Sequence, residues 1–438
     1  MGIIQLNSAI RACPQLLHKT VIHDPPPSTL ISEFPNAPFF HNISNTGEEC
    51  LNLNIMRPSG TVAASVDLKM PVIFVAMNYR LGGFGFLPGG EVLKDGAANL
   101  GILDQRLALE WVADHIRDFG GDPLKVTLWG LSTFRAAIMS SGSIAPTSPI
   151  DGVKGQAVFN SIVKEAGCNE TNDTLACLRG LDYSTFLKAV NSVPRWFSYN
   201  SVALSYLPRP DGTILTDTPE ILVKSGRYAS VPFIIGDQED EGTIFSLFQP
   251  NITIEAEIVD YLKDIFYLDA PRELLESLVA TYSNITTDGS PFRTGTRNNL
   301  YPQYKRIAAI LGDFTFTLTR RVFLTLASEA RPEVQCWSYL SAYGYGTPIL
   351  GTFHGSDILQ IFYGTWSDYV SRAIPAYFLS FAHDLDPNSR DTGYTFWPKW
   401  RPNHSLMNFL RNNSTMITDD FSNGSFEVIM ENSGFFHI

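Results

Sequence analysis

Apolar positions along this chain change their period from two to about 3.6 and back, and that alternation outlines its elements. Residues 51–56 alternate polar and apolar and predict a strand, and residues 71–77 form a continuous apolar run that predicts a buried one. A glycine-rich turn follows over 78–86. Asn99 then offers an N-cap for a helix whose apolar stripe is Leu100, Leu103, Leu107, Trp111 and Ile116, and Gly120-Gly121 stops it. Residues 125–129 predict a second strand. A strand–helix–strand order of this kind implies parallel strands joined by a right-handed crossover, hence an α/β fold with helices on both faces of the sheet.

Further helical periods cover 255–265, 271–282, 303–327 and 368–384, and further strands are expected at 232–236 and 334–342. No internal repeat or low-complexity linker divides the chain. We therefore expect one domain over 1–438, in which residues 250–438 form a helical region packed on the sheet. Residues 1–50 are irregular, with Asp24-Pro25-Pro26-Pro27-Ser28 incompatible with a helix or a central strand. Phe34, Phe39 and Phe40 in this stretch either cover a cleft or pack in the ordinary way.

Composition narrows the function classes. Of the 438 residues 44% are hydrophobic and 17% charged, which is globular, and no apolar run approaches the roughly 20 residues of a membrane span. A net charge of −12 without a Lys/Arg cluster argues against nucleic acid as a partner. Residues Met1 to Asn7 have neither a basic nor an apolar leader segment, so no signal peptide is expected in this chain. Leu6 stands where N-myristoylation requires Ser or Thr. Asn-x-Ser/Thr sequons at Asn42, Asn169, Asn172, Asn251, Asn284, Asn403, Asn412, Asn413 and Asn423 point instead to export and N-glycans. The spacing of Cys13, Cys50, Cys168, Cys177 and Cys336 suits no zinc site, and nothing in the chain calls for a metal or cofactor. Cys168 and Cys177 bracket a short polar loop, which they either close as a disulfide or flank as thiols. Cys336, within an apolar strand, is expected to be a core thiol.

Nucleophile chemistry needs a serine, an acid and a base at the ends of neighbouring strands. Ser132 follows the strand Val126-Thr127-Leu128-Trp129, Glu241 follows the strand that ends near Gly236, and His354 lies in Gly351-Thr352-Phe353-His354-Gly355. The order serine, acid, histidine is that of hydrolases built on a nucleophile elbow. With eight histidines and many acids available, the order alone is weak.

Longer blocks sharpen it. Glu49-Cys50-Leu51-Asn52-Leu53-Asn54, Asn78-Tyr79-Arg80-Leu81-Gly82, Asn99-Leu100-Gly101-Ile102-Leu103-Asp104-Gln105, Phe119-Gly120-Gly121-Asp122-Pro123 and Asp240-Glu241-Gly242-Thr243 together resemble the type-B carboxylesterase/lipase family of cholinesterase-like α/β-hydrolases. Gly312-Asp313-Phe314-Thr315-Phe316 and the Cys168, Cys177 pair lean toward its fungal lipase-like branch. The resemblance implies a mostly parallel central sheet, a Cys13–Cys50 disulfide, a lid-like loop over 14–49, and a triad of nucleophile Ser132, acid Glu241 and base His354. It also implies a small-molecule or lipid ester as substrate and a secreted enzyme.

The chain departs from the family pattern at two places. Phe134 stands at the second glycine of Gly-x-Ser-x-Gly, and residues 130–134 alone separate Trp129 from Arg135, which leaves no room for the elbow helix. The run 68–77 passes directly into Asn78-Tyr79-Arg80 without a His-Gly-Gly-Gly oxyanion loop and its strand. The expectation is a truncated α/β-hydrolase fold and a carboxylic ester hydrolase impaired or inactive as written, since one lost oxyanion donor costs about 100–1,000-fold in rate. The alternative is a non-catalytic, cholinesterase-like binding scaffold.

Overall fold

The computed structural model describes residues 13–14, 46–56, 61–128, 134–361 and 369–438. Ser132 and most of the 14–49 segment, including Phe34, Phe39 and Phe40, lie outside the described residues.

Among the described residues eight strands form two sheets. β1 (Leu53–Met56) and β2 (Phe74–Met77) make an antiparallel pair of their own. The main sheet has the order β3 (Thr127–Leu128), β4 (Ala136–Ser140), β5 (Phe233–Gln238), β6 (Cys336–Ser341), β7 (Ser405–Phe409) and β8 (Ser414–Thr418). β3 to β7 are parallel, and only β8 returns antiparallel as the edge hairpin. The expected strand–helix–strand unit is present, but its two strands, β2 and β3, belong to different sheets.

Both faces of the main sheet are covered, as unbroken apolar strands require. Successive side chains of β5 point opposite ways. Ile234 packs with Trp337, Tyr339 and helix Tyr369–Asp384, while Phe233 and Ile235 pack with helices Pro219–Lys224 and Leu318–Ala330. A third core, built around Leu262, Phe266, Leu275, Leu278 and Leu311, holds together the helices between residues 255 and 317. A fourth joins Phe159, Ile162, Leu178 and Val190 beside the Cys168–Cys177 disulfide. Cys13 and Cys50 are bonded as well, and the Cys336 thiol is buried and pushed up to about 11 by that burial.

Two local expectations change. Asn99 does not cap the helix Leu100–His115: it sits at φ +51°, and its side-chain amide donates to Arg209 O and Asp211 Oδ2 instead. The buried face of that helix is also not the apolar stripe. It consists of Gly101, Asp104, Leu109 and Val112; of the expected stripe Ile116 is buried and Leu100 half-buried, whereas Leu103, Leu107 and Trp111 are exposed. Two contacts set this rotation. Asp104 takes a two-pronged bond from Arg80, at 2.7 and 2.8 Å, and Gly101 lies so close to Phe86 and Arg80 O that a Cβ would fall within 2.6 Å of them.

The region 303–330 is not one regular helix. Between Tyr304–Gly312 and Leu318–Ala330 runs a wide π-helical turn, Asp313–Thr317. Such turns shift the side-chain register and recur at functional sites.

Candidate active site

Parallel strands deliver their C-terminal loops to one edge of a sheet, where sites tend to be built. Here β4 leads into Ser141, β5 into the Glu241 loop, and the chain after β6 reaches His354.

The Glu241 loop is tightly specified. Thr243 Oγ1 donates to Asp240 O at 2.9 Å and to Leu350 O at 2.8 Å, closing the turn against the histidine loop. Gly242 lies against helix Tyr304–Gly312 so closely that a Cβ would sit 2.0 Å from Ala308 O, so only glycine fits. Asp240 adds a second clasp. Its Oδ2 accepts from Thr352 N at 2.9 Å, and its Oδ1 accepts from Ser290 Oγ and Phe292 N. Through these bonds the loop bearing the acid and the loop bearing the histidine move as one unit.

Glu241 is 1% exposed, and a buried carboxylate needs donors around it. It has three. Oε1 accepts from Gln238 N at 2.8 Å and from Ser141 Oγ at 2.5 Å, while Oε2 lies 2.6 Å from His354 Nδ1. Ser141 follows β4 directly at φ +53°, a left-handed turn that aims its hydroxyl at the acid. Its place beside Glu241 was not singled out from sequence, although the turn signal Ser140-Ser141-Gly142-Ser143 marks a strand end there.

The His354 imidazole packs against two aromatic rings that stack on each other at 5.7 Å, Phe316 at 4.6 Å and Phe245 at 5.2 Å between centroids. The π-helical turn supplies the first of them, a role not visible from periodicity. Beyond Phe245 the wall continues through Trp196, which stacks on Phe197 at 4.2 Å. Burial lowers the basicity of the ring, but the charge of Glu241, its hydrogen bond and the charge of Asp357 outweigh that, so the His354 pKa ends above its ordinary value. Asp357 is pushed up to about 6 by burial and by Glu241. The His354 side chain keeps 30% of its surface open, so one edge of the ring faces outward while the acid behind it is sealed.

A carboxylate on one imidazole nitrogen, with the other edge of the ring accessible, is an arrangement for moving a proton to and from a neighbouring hydroxyl. The described residues nearest to Ser132 in the chain are Leu128 at the end of β3 and Phe134 before β4. An apolar hollow of about 250 Å³ lies elsewhere, lined by Phe84, Leu87, Val92, Leu178 and Phe186, and none of the residues around it is Glu241 or His354.

The sequence pattern of the Carboxylesterase family matches residues 64–428. The chain belongs to this family. Among its relatives is Secreted lipase 1 of Botryotinia fuckeliana, 48% identical over 492 aligned positions that take in 100% of this chain and 86% of the relative. Another is the secreted triacylglycerol lipase LIP1 of Gibberella zeae, 44% identical over 97% of this chain and 81% of the relative. The crystal structure of Aspergillus niger EstA shares the fold, with a TM-score of 0.75 and 23% identity over 91% of this chain and 86% of that one. This carboxylesterase-family chain thus has the α/β-hydrolase fold, with no described helix long and apolar enough to cross a membrane.

Proposed function

We propose that the chain is a lipase-like carboxylic ester hydrolase in which Glu241 and His354 activate Ser132. The observation that carries this reading is the 2.6 Å contact between Glu241 Oε2 and His354 Nδ1, beside the buried rings of Phe245 and Phe316. Glu241 fixes the tautomer of the ring and stabilises its protonated form. The other nitrogen, Nε2, takes the proton of the serine hydroxyl as Oγ bonds to the ester carbonyl carbon. The imidazolium then returns that proton to the departing alcohol, leaving an acyl-serine. Water repeats the cycle and releases the acid. The names of the relatives, a secreted lipase and a secreted triacylglycerol lipase, make triacylglycerols the substrate class to try first.

The same names, together with the sequons, support export. All eight described sequon asparagines are exposed: Asn169, Asn172, Asn251, Asn284, Asn403, Asn412, Asn413 and Asn423.

One observation favours a second reading, a non-catalytic binding scaffold. The alignment with the Botryotinia lipase runs over 492 positions while the chain contributes 438 residues, so the relative carries residues at some 54 positions where this chain has none. If these include oxyanion donors, hydrolysis is slowed by about 100–1,000-fold for each donor lost.

A phosphonate ester that reacts with activated serines tests both readings. Covalent labelling of Ser132, found by peptide mass spectrometry and lost in His354→Ala, is expected for the hydrolase. Labelling of another serine overturns the assignment of Ser132. A folded chain that takes no label and cleaves no p-nitrophenyl ester is the scaffold.

A further inference from the structure

Glu241 and His354 meet as side chains, but their backbones are joined just behind that contact. Asp240 precedes the acid and Thr352 stands two residues before the histidine. These two residues are bonded in both directions. Asp240 N donates to Thr352 O at 2.9 Å, and Thr352 N donates to Asp240 Oδ2 at 2.9 Å. The other carboxylate oxygen serves a third segment, accepting from Ser290 Oγ at 2.8 Å and from Phe292 N at 2.9 Å. One side chain thus ties together stretches that lie 50 and 112 residues away from it.

Only an aspartate fits this place. Three donors converge on the group, and two of them are backbone N–H groups, which cannot act as acceptors. An amide of the same shape has one oxygen and one NH2, so either way round it sets an N–H against a backbone N–H. Asp240 is 2% exposed, and a buried donor left without an acceptor is costly. A longer acid is shut out by Gly351, at φ +60°, where a Cβ would sit 2.1 Å from Asp240 Oδ2. The charged neighbours are Glu239, Arg293 and Lys305. Burial raises the pKa of Asp240 against the pull of its hydrogen bonds and of Arg293. Glu239, buried beside that charge and paired with Arg293 at 2.5 Å, is pushed up to about 8. Of the two adjacent acids it is therefore Glu239 that keeps a proton at neutral pH.

We propose that Asp240 is a positioning residue for the pair, its carboxylate acting through Thr352 to hold the His354 ring within hydrogen-bond reach of Glu241. The contact is 2.6 Å long, so a slip of about 1 Å between the loops takes it beyond a hydrogen bond. Thr243 and Tyr304 also tie the loops, at Leu350 O and Ile349 O, but both bonds fall farther along the chain from the histidine than Thr352 does. The inference rests on Glu241 and His354 as the acid and base proposed above, and not on Ser132.

The test is the titration of His354 in the full chain, followed by NMR on isotope-labelled histidine and assigned by the signal lost in His354→Ala. In the wild-type chain the ring should titrate above its ordinary value, with Glu241 and Asp357 the charged groups that face it. Asp240→Asn, and Gly351→Ala from the opposite side, should each lower that midpoint by about one pH unit as the Glu241 contact opens. Removal of the Cys168–Cys177 bridge, which lies in another core, should lower the melting temperature and leave the midpoint in place. If neither site variant folds, Ser290→Ala takes one donor from the same carboxylate and should lower the midpoint by a smaller step, and an unmoved midpoint there overturns the proposal. A raised wild-type midpoint that stays put in folded Asp240→Asn and Gly351→Ala also overturns it. So does an equal drop on removing the disulfide, which marks general loosening. A wild-type ring that titrates at or below its ordinary value overturns instead the acid–base reading of Glu241 and His354, and this proposal with it.

Discussion

At the scale of single residues, the site depends on how one carboxylate is shared. Glu241 gives one oxygen to His354 and the other to Ser141 and Gln238, so its orientation is set before any substrate arrives. Because Glu241 holds the His354 pKa above its ordinary value, and the proposed base works only when neutral, ester hydrolysis through it should fall away as pH drops through that raised pKa. Glu241→Gln removes the charge that raises it. In a pH–rate profile of kcat/KM the acid limb of this variant should move to lower pH while the plateau falls by about 10⁴-fold. An unmoved limb would mean that another group titrates. Ser141→Ala should cost far less, since Gln238 N still holds the same oxygen.

Elements hold those residues through a buried ionic cluster beneath the sheet edge. Arg320, on helix Leu318–Ala330, donates to Asp419 at 2.6 and 2.8 Å and to Ser338 on β6 at 2.9 Å, and its Nε reaches Asp237 on β5 at 3.3 Å. Trp400 adds a bond to the same Asp419 carboxylate at 3.0 Å. Asp237 is four residues from Glu241, so this cluster fixes the base of the acid loop. Removing one partner leaves a buried charge uncompensated, at a cost of about 3–5 kcal/mol. Asp419→Ala is thus expected to lower stability by that amount in a urea titration, whereas a surface pair such as Arg106–Glu110 is worth at most about 1 kcal/mol. A loss below 1 kcal/mol in Asp419→Ala would show that the cluster relaxes or hydrates. The same scale shows the limits of periodicity. The pattern at 303–327 predicted a helix but not the π-helical turn at Asp313–Thr317 that sets Phe316 against His354, because one extra residue in a turn leaves the apolar count unchanged.

For the whole molecule, the bonded Cys13–Cys50 and Cys168–Cys177 pairs suit an oxidising compartment, and the exposed sequon asparagines among the described residues are where the proposed N-glycans would sit. Expression in a secreting host should give a chain whose mobility increases after amidase removal of N-glycans, and an unchanged mobility would argue against passage through that pathway. The 168–177 bridge closes a short loop, and its loss through Cys168→Ser with Cys177→Ser should cost about 2–3 kcal/mol by chain entropy, readable as a lower melting temperature.

Local signals were enough for much of this protein. Turn formers and apolar periods marked β1, β2, β5, β6 and most of the long helices, and the spaced blocks around Cys50, Arg80, Asp104 and Glu241 pointed to the family, because motif and spacing are properties of the chain itself. Which face of an element is buried is not such a property. Leu103, Leu107 and Trp111 form as good an apolar stripe as any in the sequence, yet they lie outside, since Arg80–Asp104 and the approach at Gly101 turn the helix. Likewise only the family resemblance joined Glu241 and His354 in a triad, while nothing local in the sequence did. Their contact, the hydroxyl of Ser141 and the two aromatic rings depend on five parallel strands ending at one edge, a long-range register that no local pattern encodes.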